Sequence, residues 1–255
     1  MTKSDLTEVT KQHYENLVGQ LGEKYFHHRW GDHPIKRSHY QHTRRAIETI
    51  FAVKIGQVDE LLEVGCGSGI WTDLMLQHAK RVTLFDISHE MLKVAKSKYH
   101  NNLCVKDYIQ GDYIEDAQRL TQNYDVIFSS RAIEYMSNKR RMITQSYDRI
   151  KPGGALVIIT KNPDWHDKRK EKGRSASKIQ SDWISWRDLE VLYREAGFSE
   201  ILVYPAALGS YHTPFNSKVG IFTCDALSAL LCGRKMRSLY NYLSESYLIY
   251  GKKET

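Results

Sequence analysis

No apolar run in the 255 residues approaches the ~20 that would span a bilayer. The opening MTKSDLTEVT has no apolar core of a secretory signal. Cysteine is scarce: Cys66, Cys104, Cys224 and Cys232 form no Cys-x-x-Cys pair, which speaks against a disulfide framework or zinc ribbon. A reducing cytoplasm is the expected compartment, and no metal site is expected. Repeats of 20 to 50 residues and low-complexity tracts are also missing, so solenoids and linkers drop out. What is present is 41% hydrophobic and 26% charged, the composition of a globular chain able to bury one substantial core. Lys and Arg outnumber Asp and Glu by 37 to 30, a net +7 that favours anionic partners without choosing a fold.

From about residue 60, short apolar runs alternate with amphipathic stretches, which predicts an α/β chain with a parallel sheet. The expected strands are Glu60–Val64, Arg81–Phe85, Asp107–Gln110, Tyr124–Ser129, Ala155–Thr160, Ile201–Tyr204 and Tyr247–Tyr250. Ser88 and Ser185 are placed to cap helices, and Gly197 sits where a helix-ending glycine belongs. A single domain is expected, in four parts. Residues 1–58 form a helical lid: a helix over Ser4–Leu21, a loop of aromatics and histidines over Tyr25–His42, and a helix over Thr43–Phe51. Residues 59–160 form the ligand-binding core, and residues 161–184 a basic loop. Residues 185–255 complete the sheet, with an insertion at 205–243 carrying an apolar helix over Cys224–Leu231.

The stretch Leu61-Leu62-Glu63-Val64-Gly65-Cys66-Gly67-Ser68-Gly69 is the most informative. It reads as a strand, an acid near its end, glycines at alternate positions, then a helix. Glycines there turn the chain tightly and let a ligand lie on bare backbone at a helix N-terminus. A dinucleotide-binding turn looks similar, but the spacing here is Gly-x-Gly-x-Gly, and Glu63 would oppose a pyrophosphate while suiting a cationic amine. Asp86, 23 positions after Glu63, ends the next strand, where a carboxylate can accept both hydroxyls of a ribose. Gly111-Asp112-Tyr113 follows the third strand, with an acid for an exocyclic amine and an aromatic able to stack.

With those residues in order, the chain resembles a class I S-adenosylmethionine-dependent methyltransferase of the small-molecule branch that includes quinone-biosynthesis enzymes. Tyr124-Asp125-Val126-Ile127-Phe128-Ser129 is similar to the family's fourth strand, and Ile150-Lys151-Pro152-Gly153-Gly154 to the turn before its fifth. The resemblance implies a Rossmann-like seven-stranded sheet with the last strand antiparallel. It implies S-adenosyl-L-methionine as cofactor, leaving as S-adenosyl-L-homocysteine. The implied cofactor residues are Glu63, Gly65, Cys66, Gly67 and Gly69, then Trp71, Asp86, Ile87, Met91, Asp112, Tyr113 and Ser129. Arg44 is expected to reach the methionine carboxylate.

Methyl transfer from a sulfonium is an in-line displacement on an activated donor, so alignment matters more than a catalytic triad. A base is needed where the acceptor must lose a proton. The candidates are His27 and His28 in the lid and Tyr135, which stands where many relatives have a histidine. The segment Ser129-Ser130-Arg131-Ala132 lacks the Asn/Asp-Pro-Pro-aromatic element of base-amine methyltransferases, and no proline precedes a cysteine, so nucleic acid is disfavoured as acceptor. A hydroxyl or amine of a small molecule is expected: a sugar, a lipid-linked intermediate or a secondary metabolite. An RNA or protein methyltransferase, or a non-catalytic cofactor-binding domain, are the alternatives. Cations concentrate at 33–46, 161–178 and 233–241, which favours an anionic acceptor and leaves peripheral membrane contact open. The chain is expected to be a monomer or homodimer.

Overall fold

Strands β1 (Val58–Val64), β2 (Ala79–Asp86), β3 (Val105–Gln110), β4 (Tyr124–Ser130), β5 (Ile150–Lys161), β6 (Ser199–Leu208) and β7 (Ser244–Lys252) form one sheet in the computed structural model. The structure describes residues 3–165, 182–209, 217–236 and 243–255, with side chains from Thr7 onward. Most of the expected basic loop at 161–184 lies outside the described residues, as do Phe215 and Arg237 of the insertion.

The strand order is β3-β2-β1-β4-β5-β7-β6, and β7 alone runs antiparallel to its neighbours. All seven expected strands are present, and the reversed last strand is where the sequence placed it. The central strands are covered on both faces, so they read as continuous apolar runs. Side chains still alternate: Leu61, Leu84, Phe128 and Val157 join one core, and Leu62, Phe85, Ile127 and Ile158 the other. The order reverses between β1 and β4, opening a crevice at their C-terminal ends.

Helices α3 (Thr72–His78), α4 (His89–Tyr99), α5 (Tyr113–Asp116), α6 (Lys139–Arg149) and α7 (Trp186–Ala196) follow β1, β2, β3, β4 and β5 in the chain. Their starts are local chemistry. Ser88 Oγ accepts the Met91 N–H, Asn138 Oδ1 that of Arg141, and Ser185 Oγ that of Asp188. Gly197, at φ 102°, ends α7 in the left-handed conformation.

The lid departs from expectation. Helix α1 spans Lys3–Leu21, but the expected loop at Tyr25–His42 is largely helical: a short turn at His27–Gly31 leads into α2 (Pro34–Ile50). His33 caps α2, Nδ1 accepting the Ile35 N–H, and Pro34 fits the first turn. The buried face of α2 uses Ser38, His39, His42 and Thr43 beside Ile35 and Ile47. A stripe so rich in polar residues hides the helical period from a search for apolar ones. Helix α8 (Lys218–Leu231) starts earlier than expected because Ser217 Oγ caps it through the Gly220 N–H. Strand β5 runs through Pro152-Gly153-Gly154 where a break was expected. The edge strand β6 tolerates Pro205 with register shifts around it.

Two ties fix the lid. Glu15 of α1 accepts the His89 and Glu90 N–H groups at the N-terminus of α4, a carboxylate at the positive helix end. On α2, His42 and Ser38 both bond Asp225 of α8, at 2.7 and 2.6 Å.

Candidate active site

The crevice beneath the lid is a cavity of about 470 Å³, within the usual range for a small-molecule site. One wall is the strand-end set read from the sequence. Gly65, Cys66 and Gly67 after β1, Asp86 and Ile87 after β2, and Asp112 and Tyr113 after β3 all line it. Met91 and Trp71 line it too; Trp71 is buried and stacks on Tyr40, with ring centroids 5.0 Å apart.

The glycine turn is built by backbone conformation. Gly65, Gly67 and Gly69 have φ of 70°, 55° and 76°, which side chains disfavour. Asp86 braces the turn, its carboxylate accepting the Gly67 N–H at 2.7 Å and the Ser88 N–H at 2.9 Å. Burial pushes its carboxyl up to about 6, and those two N–H bonds oppose the rise. Asp112 caps α5 through the Ile114 N–H while facing the cavity, and burial raises it as well. Burial pushes the Cys66 thiol far up, so it packs rather than attacks.

Four expected cofactor contacts do not line the cavity. Glu63 is buried beside α3, accepting the Thr72 hydroxyl at 2.7 Å, and burial pushes it up to about 8. Gly69 is a packing position: its carbonyl accepts the Tyr99 hydroxyl, and a Cβ there would overlap that ring. Ser129 points to the other face of β4, so its neighbour Ser130 lines the cavity instead, as strand alternation requires. Arg44 faces outward and pairs with Glu48 at 2.8 Å, a surface i,i+4 pair.

The base candidates also divide. His27 and His28 are exposed and outside the cavity wall, because their short helical turn points them at solvent. Tyr135 does line the cavity and meets Tyr14 of α1 edge-on, centroids 5.8 Å apart. The lid histidine that reaches the cavity is His39, buried on α2 and lowered to about 4 by burial.

The second wall carries a charged group that the sequence did not reveal. Arg131, at φ 65°, projects its guanidinium to Glu245 at 3.1 and 3.3 Å and to Glu134 at 3.1 Å. Burial opposes its charge, but the two carboxylates outweigh burial and raise its pKa. Glu134 lies three positions from Arg131 in the chain, whereas Glu245 is 114 away and meets it only through the fold. Lys161 at the end of β5 and Arg29 of the lid complete this side. Ser130 Oγ, Trp30 Nε1 and Thr10 Oγ1, all on lining residues, are buried and without hydrogen-bond partners among the described residues. Among those residues, no three His, Cys, Asp or Glu side chains converge as a metal site would need.

Comparison with known proteins agrees with this arrangement. A family model described as a methyltransferase domain matches residues 36–202. Among curated proteins, malonyl-[acyl-carrier protein] O-methyltransferase 2 of Ilyobacter polytropus is 30% identical over 150 residues, covering 55% of each chain. The ubiquinone biosynthesis O-methyltransferase of Vibrio atlanticus is 29% identical over 173 residues, 64% of this chain and 66% of that one. The chain thus matches about half to two thirds of the length of these relatives. A chain of the complex between the Haloferax volcanii Trm112 methyltransferase activator and a methyltransferase superposes with TM-score 0.63 at 16% identity, covering 95% and 98% of the two chains. A Thermotoga maritima S-adenosylmethionine-dependent methyltransferase superposes with TM-score 0.60 at 16% identity, covering 95% and 100%. With the family's domain matched over most of the chain and its strand-end residues gathered at one cavity, this protein belongs to the methyltransferase-domain family, the class I S-adenosylmethionine-dependent methyltransferases.

Proposed function

We propose that this chain transfers a methyl group from S-adenosylmethionine to a hydroxyl or amine of a small molecule: a sugar, a lipid-linked intermediate or a secondary metabolite. The carrying observation is the two-walled cavity. Glycines and carboxylates stand at the β1–β3 ends, a polar wall of Tyr135 and the Arg131 group stands at the β4–β7 ends, and His39 of α2 lines the same cavity.

The residues fit the cofactor. A Cβ at Gly67 would meet only Met91 Sδ, at 3.6 Å, so the backbone there faces open cavity rather than packed protein. Asp86 would accept the ribose hydroxyls and Asp112 the adenine amine. When bound, the cofactor supplies a methyl on a sulfonium, already activated toward displacement. The protein then orients the acceptor and excludes water, and orientation can contribute ~7–11 kcal/mol. Trp30, Trp71 and Tyr40 close the lid side as an aromatic cluster. His39, held neutral by burial, and Tyr135 line the cavity where an acceptor would have to give up its proton.

Replacing Asp86 with Ala should weaken S-adenosylhomocysteine binding at least 100-fold by calorimetry, on the order of 3 kcal/mol for lost charge-assisted hydrogen bonds. Unchanged affinity would overturn the site. Label from methyl-tritiated cofactor should enter the organic or small-molecule aqueous fraction of a cell extract. Label in RNA or protein would support the other enzyme class, and tight binding without transfer would support a binding module.

One feature favours contact with an anionic membrane surface during this reaction. Helix α8 buries Cys224, Ser228 and Leu231 but exposes Val219, Phe222, Ala226 and Leu230 along one stripe. Lys218, Arg234 and Lys235 stand exposed at its two ends. That is the pattern of a helix lying in an interface, beside the acceptor half of the sheet. Among the described residues, no helix is long and apolar enough to cross a membrane.

A further inference from the structure

Three cations stand around the β4–β7 side of the cavity, and among the described residues Arg131 alone is ion-paired. Arg131 is held by Glu134 and Glu245 together. Glu134 is further engaged by the Lys161 backbone N–H at 3.0 Å and the Thr160 hydroxyl. Lys161 Nζ and the Arg29 guanidinium form no ion pair among the described residues. Each instead lies over an aromatic ring: Lys161 5.2 Å from the Trp183 centroid, and Arg29 4.2 Å from that of Trp30.

We propose that the methyl acceptor carries an oxyanion, a carboxylate or phosphate distinct from the group methylated, and that Lys161, with Arg29 on the lid, holds it. This rests on the methyltransferase reading above and deepens it by naming the acceptor's class. Position supports it first. Lys161 ends β5, two strands from the glycine turn after β1 in the order β1-β4-β5. At about 4.8 Å per strand that is roughly 10 Å, a separation that suits an acceptor reacting near the centre and held at its far end. Electrostatics supports it second. Burial lowers the Lys161 ammonium, Arg131 and Arg29 lower it further, and Glu134 and Glu245 oppose the fall. Among the described residues, three cations stand here against two carboxylates, and the buried ammonium left over gains from an arriving anion that balances the group. Trp30 lines the cavity beside Arg29, which suits an anion carried on a flat or apolar body.

The test uses the full chain loaded with S-adenosylhomocysteine and titrated calorimetrically with phenyl phosphate and with benzoate, benzyl alcohol serving as the uncharged control. At least one anion should bind, the stronger arm identifying phosphate or carboxylate, and benzyl alcohol should bind at least tenfold more weakly. Lys161→Met should lose tenfold or more of that affinity, and Lys161→Arg should keep it within threefold. S-adenosylhomocysteine affinity should stay within twofold of wild type in both variants, which also shows that they fold. Binding of neither anion, or equal binding in Lys161→Met, would overturn the proposal. So would a large loss of S-adenosylhomocysteine affinity in Lys161→Met, which would give this lysine to the cofactor. As a second readout, the labelled product from extract should be retained by an anion exchanger at neutral pH. A neutral labelled product would sink the anion subsite with the transferase reading intact, whereas wild-type protein that fails to bind S-adenosylhomocysteine would sink the transferase reading itself.

Discussion

Two glycines only two positions apart answer to different constraints. A Cβ on Gly65 would overlap that of Ala132, because the turn after β4 presses against the glycine turn. A Cβ on Gly67 meets nothing closer than Met91 Sδ. Gly65→Ala should therefore destabilise the ligand-free protein by ~2–4 kcal/mol, combining overpacking with left-handed strain. Gly67→Ala should cost only about 1 kcal/mol of strain in urea unfolding yet weaken S-adenosylhomocysteine at least tenfold. Wild-type affinity in Gly67→Ala would show that the cofactor does not lie on that backbone. These positions were legible in the sequence because a strand, a turn and a helix start are local events. The Arg131–Glu245 contact was illegible because it forms only when β7 enters beside β5, and Lys161 had no local mark beyond its place in a basic stretch. Arg44 was misread for the opposite reason: an i,i+4 acid, Glu48, was on hand to take its charge.

At the scale of elements, the buried polar face that disguised the first half of α2 as a loop also makes its docking sensitive to acid. His42 Nδ1 accepts the Leu208 N–H at 3.3 Å, leaving Nε2 to donate to Asp225 of α8. Burial lowers His42, with Asp225 opposing, and burial lowers His39 to about 4, with Glu245 opposing and Arg131 and Arg29 adding to the fall. A histidine whose folded pKa lies below its unfolded value of ~6.5 favours the fold only while neutral, so its contribution is lost as pH falls from 6.5 toward 4. For His39 alone the loss at pH 5 is about 2 kcal/mol. Lowering the pH from 7.5 to 5 should thus reduce the wild-type Tm by ~4–8 °C more than that of His39→Gln, followed by circular dichroism. Equal acid losses in the two proteins would show that His39 is not held neutral by burial. The strands of the same sheet were readable because their covering layers demand apolar runs; α2, which borders a polar cavity, cannot satisfy that demand and keep its side of the site.

For the whole molecule, the net +7 is distributed differently from what windows of sequence suggest. The cations at 33–46 are largely engaged near home: Lys36 with Asp32, Arg44 with Glu48, and Arg37 with the Gly31 carbonyl. Among the described residues, Arg234 and Lys235 stand exposed beyond α8 and Lys218 at its start, with the apolar stripe between. Exposed cations flanking exposed Val219, Phe222 and Leu230 (75%, 73% and 57% accessible) match an anionic lipid surface better than a second protein chain, which would more often meet an apolar core free of charge. The protein should therefore sediment with vesicles containing phosphatidylglycerol and not with pure phosphatidylcholine. Each cation near the surface contributes about 1 kcal/mol at low salt, so 0.5 M NaCl should release most of the bound protein. Phe222→Glu, on the exposed face, should abolish sedimentation while leaving Tm and S-adenosylhomocysteine affinity unchanged. Concentration-dependent dimers of the wild type that Phe222→Glu dissolves, without any vesicle binding, would instead give this face to a second copy of the chain.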